Sequence, residues 1–294
     1  MSATQPKFSI IVCSVKPEMA EALSENVSAT IGVDYEMIIF DNRQAGKGIC
    51  EVYNLCAERA VGEYLLFVHE DVAFHTEGWG RIIGEKLREK SCGVIGFAGS
   101  AAKYGYEYGW QGVKHFTHKN YIIGCKHKGG KLRQSAHNKE FMPVVCLDGM
   151  CLFVRRDVWA ECRFDDETFR GFHSYDTDFT THTHQAGYTN YVCHTVSFEH
   201  FSLGSFSAAW YESVKLYLAK WGASLPVRAE GVSEAELKRY AVASEAIALK
   251  RLVKARILSK QEAWDKVRGF AKRHPLSIHS LGLIVKYISK YANK

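Results

Sequence analysis

Through the first hundred positions, short apolar runs rich in β-branched residues alternate with segments of helical period, and each run ends in polar residues. That alternation restricts the chain to an α/β fold, with a mostly parallel central sheet flanked by helices. Phe8 to Val15 reads as a first strand, and Lys16 to Ile31 as a helix with Pro17 near its first turn. Tyr35 to Phe40 is a second strand ending in Asp41-Asn42, and Gly48 to Val61 has helical spacing at Ile49, Val52, Tyr53 and Cys56. Tyr64 to Val68 is a third strand, running into His69-Glu70-Asp71, and Trp79 to Lys90 and Gly93 to Phe97 add a helix and a strand. Ligands of such sheets bind beyond the carboxyl ends of the strands, so Ser14, Asp41 and the His69-Glu70-Asp71 triplet are expected to line one cleft.

From Ala101 to Phe141 the alternation stops in a stretch of Gly, aromatic and basic residues, with eight Lys/Arg against two Glu. It is too long for a plain connection and predicts an active-site lid or insertion. Val144 to Val154 reads as another strand, with Asp157 positioned to cap the short helix behind it. Beyond Ser205 the pattern is helical, with breaks at Gly222 to Pro226 and at His274-Pro275. The expected organisation is therefore an α/β domain over 1–205 with its insert at about 101–141, and a helical basic region over 206–294.

Two acidic constellations carry chemistry. Glu70-Asp71 at a strand end offers hard oxygen ligands at a rigid point, as a divalent cation bound to a diphosphate requires; a solvated acidic turn is the plainer alternative. Asp176 and Asp178, two apart in FHSYDTDFT, suit the start of a helix, where a partly exposed carboxylate can cap the helix or act as a general base. Five of the thirteen histidines fall between His173 and His200, without a recognised zinc spacing.

Gly48, Asn54, Gly62-Glu63-Tyr64 and then His69-Glu70-Asp71 resemble, in order and spacing, the stretch of family 2 glycosyltransferases that leads to their Asp-x-Asp metal motif. Phe164-Asp165-Asp166 to Asp176-Thr177-Asp178 resembles the family's later run ending in the catalytic base, and the likeness spans about residues 8 to 205. The resemblance implies the GT-A fold and an inverting transfer of sugar from a nucleotide-diphosphate donor to an acceptor hydroxyl, in surface polysaccharide or glycoconjugate synthesis. It further implies that Ser14, Val15, Asp41, Asn42, Asn54, Glu70 and Asp148 contact donor or acceptor, that Asp71, His200 and His69 hold Mn²⁺ or Mg²⁺, and that Asp176 is the base. Two residues depart from the pattern: His69 stands for the first Asp of Asp-x-Asp, and Tyr175 for the Glu before Asp176. Imidazole at position 69 shifts the expected ion from Mg²⁺ toward Mn²⁺, and His-Glu-Asp here resembles a divergent branch grouped with a streptomycin-biosynthesis protein.

Composition narrows the alternatives. The chain has 294 residues, 47% hydrophobic, enough for a core that needs no disulfide or metal staple. No apolar stretch reaches the ~18–20 residues of a membrane span, and the start does not read as a secretory signal, so a cytoplasmic protein is expected. Nine cysteines, an odd number without a C-x-x-C, predict reduced core thiols. From Lys215 onward 17 basic residues face 6 acidic ones, so a basic tail follows an acidic body. In that tail Leu281, Ile284, Val285, Ile288 and Tyr291 share a helical face near Lys286, Lys290 and Lys294. Such a stripe packs on its own domain or a second subunit, or rests on anionic lipid in a peripheral membrane contact near a lipid-linked acceptor. No nucleic-acid motif accompanies the basic residues, and no nucleic-acid partner is expected. A sugar-phosphate nucleotidyltransferase would need a Gly-rich loop where this chain has CSVKPEM. A non-catalytic sugar-nucleotide-binding protein of the same fold is the other alternative.

Overall fold

The computed structural model describes residues 7–124, 130–202, 204 and 206–291. The middle of the basic insert, Ser205, and Ala292 and Lys294 of the C-terminal stripe lie outside the described residues. Strand β1 (Phe8–Ser14) is buried along its length apart from Cys13. It is followed by α1 (Pro17–Thr30), β2 (Tyr35–Asp41), α2 (Ile49–Arg59), β3 (Tyr64–Val68), β4 (Val72–Phe74), α3 (Trp79–Leu87), β5 (Cys92–Gly96), β6 (Ala98–Ser100) and β7 (Ala102–Lys103). Next come β8 (Thr117–Ile123), β9 (Lys131–Gln134), β10 (Phe141–Val144), β11 (Cys146–Leu147), β12 (Cys151–Arg155), α4 (Arg156–Cys162), α5 (Tyr175–Gln185), β13 (Thr189–Cys193) and β14 (Phe198–His200). The C-terminal part contains α6 (Ala208–Trp221), β15 (Val227–Arg228), α7 (Glu234–Ala255), α8 (Lys260–Arg273) and α9 (Ile278–Tyr291).

The central sheet has the order β10-β13-β5-β12-β3-β1-β2. Strands β1, β2, β3, β5 and β13 share one direction, and β12 and β10 oppose them. One face buries Leu23 and Val27 of α1 with Trp79 and Ile83 of α3. The other buries Val52 and Tyr53 of α2 with Val158 of α4 and Phe179 of α5. This two-sided burial explains why the strands read as continuous apolar runs rather than alternating ones.

A second sheet, β11-β6-β8-β14-β4, lies at the end of the first, with β9 added to β8. Antiparallel pairing of β14 with β4 sets His200 opposite Val72, and Phe201 N–H donates to the Asp71 carbonyl at 3.0 Å. This register brings two segments 129 positions apart to one point.

Three expectations need correction. Val144 to Val154 is not one strand: the chain leaves β10, forms β11, turns at Asp148-Gly149 and returns as β12 antiparallel to β3. The turn requires glycine, because a Cβ at position 149 would lie 2.2 Å from the Tyr175 hydroxyl oxygen. Asp157 is not the N-cap of α4. Arg155 is, and Asp157 lies in the first turn, accepting from its neighbour Val158 N–H at 2.8 Å and pairing with Arg155. The basic stretch, expected to be a lid or insertion, is an ordered part of the second sheet through β8 and β9, and Tyr104, Tyr108 and Phe116 share a core with Leu237 and Ala248 of α7. The C-terminal stripe divides: Ile284 and Tyr291 pack inward with Leu283 and Tyr287, while Leu281, Val285 and Ile288 are exposed.

The expected breaks in the tail occur between α6 and α7 and between α8 and α9, and a further one separates α7 from α8. Capping boxes Ser233/Glu236 and Ser259/Glu262 start α7 and α8. Among the described residues the cysteines are free, and no helix is long and apolar enough to cross a membrane.

Candidate active site

His69, Asp71 and His200 converge. His200 Nε2 lies 3.4 Å and His69 Nδ1 4.0 Å from Asp71 Oδ1, and one ligand atom from each residue falls within 4.8 Å of the others. Burial raises the Asp71 carboxyl, but hydrogen bonds from His200 and Ser202 outweigh it and hold the pKa at about 2. Burial and the neighbouring His200 push His69 down to about 4, so its ring is neutral at pH 7. Two imidazoles and a carboxylate fit a divalent ion, and this donor set suits Mn²⁺ better than Mg²⁺.

The His69 ring is held from behind. Its Nε2 lies 2.8 Å from the Tyr175 hydroxyl, which donates to the Gly149 carbonyl at 2.9 Å. A hydroxyl has one proton, so with that proton on Gly149 the Tyr175 oxygen accepts from His69 Nε2–H. The lone pair is thereby left on Nδ1, facing Asp71.

Asp176 sits in the first turn of α5 behind Ser174, whose φ of 63° starts the helix from a left-handed position. Its carboxylate accepts from Thr177 N–H at 2.7 Å and Gly149 N–H at 3.0 Å. Burial and then the nearby Asp148 raise its pKa to about 7 despite those donors. Asp178 is different: it is buried and tied to Lys220 at 2.8 Å and Trp221 Nε1 at 2.7 Å. The Asp176 carboxylate thus meets the Asp148-Gly149 turn without a cation, whereas that of Asp178 is a structural anchor.

Other expected residues divide in the same way. Ser14 Oγ donates to Glu70 at 2.7 Å, and the same Glu70 oxygen accepts from Val15 and Lys16 N–H at 3.1 and 3.0 Å. Glu70 therefore ties the loop after β1 and does not join the His69–Asp71–His200 cluster. Asp41 and Asn42 lie beside Ser14, with Asn42 N–H donating to the Ser14 carbonyl at 2.8 Å. Asp41 is exposed and bonded to Arg43, which holds its carboxyl near 2. Asn42 closes the 42–47 loop onto Lys47. Asn54 is not brought to the cleft: it is buried, and its amide is bonded to both backbone groups of Phe164 and to Asp166. Asp148 lies at the turn beside Asp176, accepting from Met150 N–H at 3.1 Å.

Sequence reasoning missed the role of Tyr175 and the exposed Phe172, whose ring centroid lies 5.6 Å from that of His69. The signal for Tyr175 was available: positions 69 and 175 both depart from the family pattern, and these two side chains touch.

A family model described as the glycosyltransferase-like family matches residues 9–216. The chain belongs to that family. No match is found among the curated proteins. Among solved structures, this glycosyltransferase-like chain is similar to residues 1–349 of TarS from S. aureus, with a TM-score of 0.52 and 15% identity over 97% of this chain and 89% of that one. It is also similar to the mannosyltransferase PcManGT from Pyrobaculum calidifontis in complex with GDP-Man and Mn²⁺, with a TM-score of 0.47 and 11% identity, covering 97% of this chain and 88% of that one. The fold of the glycosyltransferase-like chain is accordingly of the GT-A type.

Proposed function

We propose that the protein transfers a sugar from a nucleotide-diphosphate donor to an acceptor hydroxyl with inversion at the anomeric carbon. The observation that carries this reading is Asp176, a half-buried carboxylate on a helix N-terminus whose pKa is raised to about 7, next to the His69–Asp71–His200 cluster. A base with that pKa is matched to neutral pH. Asp176 takes the proton of the acceptor hydroxyl, and that oxygen attacks from the face opposite the leaving diphosphate. Gly149 N–H and Thr177 N–H keep the carboxylate oriented while it does so. His69, Asp71 and His200 would hold a divalent ion, Mn²⁺ by the donor set, which supplies charge neutralisation to the departing diphosphate when bound. Ser14, Val15, Asp41 and Asn42, together at the ends of β1 and β2, are the residues we assign to the nucleoside, and Asp148 to the sugar or acceptor.

The acceptor is read as a carbohydrate or lipid-linked glycoconjugate of surface polysaccharide synthesis. Support for a peripheral membrane setting comes from the exposed Leu281, Val285 and Ile288 beside Lys286 and Lys290 in a strongly basic tail.

The test is a thermal-shift screen of nucleoside diphosphates with and without Mn²⁺, followed by hydrolysis of the matching nucleotide sugar. A ligand selective for the native state raises Tm by mass action. Absence of any stabilising nucleotide would remove the donor reading, and binding without turnover would leave a sugar-nucleotide-binding protein.

A further inference from the structure

The basic insert and α7 bring together cations that have no acid of their own. Lys103 is fully buried, its Nζ donating to the Tyr108 carbonyl at 2.7 Å and lying 3.8 Å from the centre of the Tyr108 ring. Lys119, half-buried on β8, has its Nζ 5.5 Å from the centre of the Trp110 ring. Arg251 of α7 reaches the carbonyl of the adjacent Gln111. Arg133 on β9 stands directly opposite Tyr121 on β8, and directly opposed residues share a face of the sheet. Lys119, two residues from Tyr121, is on that face as well. Among the described residues none of these four cations has an ion-pair partner.

The repulsion within the group is evident. Burial lowers the Lys119 ammonium, and Arg251 and Arg133 lower it further, with Asp148 the one carboxylate opposing them. Lys103 is pushed to about 7 by burial and by Arg251, with Asp176 its nearest balancing carboxylate. Lys119 and Arg251 are half-buried like charges without counter-charge, which is costly, and an anion bound between them and the exposed Arg133 removes the cost. The register fixes where that anion would lie: Ala98 opposes Lys119, and Asp148 N–H donates to the Ala98 carbonyl at 2.8 Å. Asp148 is the carboxylate that acts on Lys119, and its neighbour Asp176 acts on Lys103. With Asp176 read as the base, this is the side on which we place the acceptor.

Trp110 and Tyr121 complete the surface. Both are half-buried and packed against the main core, and aromatic rings beside cations suit the apolar face of a sugar. We propose that Lys119, Arg133 and Arg251, with Trp110 and Tyr121, form an acceptor shelf for an anionic carbohydrate, a sugar bearing phosphate or carboxylate. The inference rests on the reading of Asp176 as base, and it assigns the insert to acceptor recognition rather than to closure over the donor diphosphate.

The test titrates glucose 6-phosphate, glucuronate and glucose into the full chain by saturation-transfer difference NMR. Each series is run without nucleotide and with the nucleoside diphosphate and Mn²⁺ that stabilise the chain most. The expected result is saturation by one or both anions, phosphate against carboxylate identifying the group preferred, with glucose at least about tenfold weaker. Arg133→Gln, on an exposed side chain, and Lys119→Met, which keeps the apolar stem, each weaken anion binding about fivefold or more. Both leave Tm and nucleotide affinity unchanged. Equal binding of glucose and the anions overturns the shelf, as do substitutions that weaken the nucleotide instead of the sugar anion. Because the series without nucleotide reports on the shelf alone, its failure is separable from failure of the donor reading.

Discussion

Two carboxylates of α5 illustrate how one residue type is divided between structure and chemistry. Asp178 is neutralised by Lys220 and bonded to Trp221, so its removal costs stability. Asp176 has only backbone and hydroxyl donors, and its raised pKa is the consequence of burial beside Asp148. Asp176→Asn therefore reduces glycosyl transfer by about 10²-fold or more while leaving nucleotide affinity, read by calorimetry, within a factor of about two. Loss of nucleotide binding instead would count against its role as base. The wild-type rate should rise with pH through about 7, because the carboxylate must be ionised to accept a proton. A rate profile already flat from pH 5 upward would contradict this. Tyr175 acts one step back, through the tautomer of His69. Tyr175→Phe keeps the ring in its core site and frees His69 Nε2–H, so Mn²⁺ affinity should fall about 10- to 100-fold by electron paramagnetic resonance titration. Nitrogen-15 correlation spectra of the wild type should show His69 protonated at Nε2. A proton on Nδ1 would refute the arrangement.

At the scale of elements, α1, α2, β3 and α3 were legible because each is a local pattern: a Pro in a first turn, helical spacing, an apolar run of strand length. The β10–β12 region was read as one strand because Val144 to Val154 is apolar on both sides of Asp148-Gly149, and that dipeptide is the turn at which the run divides, with Gly149 packed closely against Tyr175. In the site, Asp71 and His200 are brought together by register between β4 and β14, which no local pattern encodes. Their convergence was legible only through the family likeness. Asn54 belonged to the same likeness, yet its side chain is spent on holding the Phe164–Asp166 segment. The pairing of His194, one of the five clustered histidines, with His137 has no local signal in the sequence. His194, just after β13, stacks on His137 at 4.1 Å between ring centroids, and both of its ring nitrogens are buried without a partner. Burial, with His137 and His118 nearby, depresses His194 to about 4 from the usual 6.5. The unfolded chain therefore binds more protons than the folded one between those values, so stability is fully present above about pH 6.5 and declines as pH falls toward 4. The prediction is that Tm falls between pH 7 and pH 5 by roughly 5 °C more in wild type than in His194→Phe. Parallel profiles for the two proteins would sink it.

For the whole molecule, charge and apolar exposure coincide at one end. The C-terminal part from Lys215 carries 17 basic and 6 acidic residues, and α9 turns Leu281, Val285 and Ile288 outward while Leu283, Ile284 and Tyr287 hold it to α7 and α8. A second copy of the same basic region is a poor partner for this face, because like charges repel, whereas an anionic bilayer accepts both the cations and the apolar stripe. Vesicles rich in phosphatidylglycerol should sediment the protein, phosphatidylcholine vesicles should not, and high salt should weaken the association by screening. Leu281→Asp with Val285→Asp should reduce anionic-vesicle binding about tenfold or more without lowering Tm, since both side chains are already in solvent. If the wild type instead sediments equally with both lipids, or runs as a dimer that the double substitution converts to a monomer, the stripe joins protomers and the bilayer assignment fails. The distinction bears directly on acceptor supply: a chain resting on the membrane through α9 would take its acceptor from the lipid surface, whereas a dimer sealed through α9 would have to receive an acceptor free in solution.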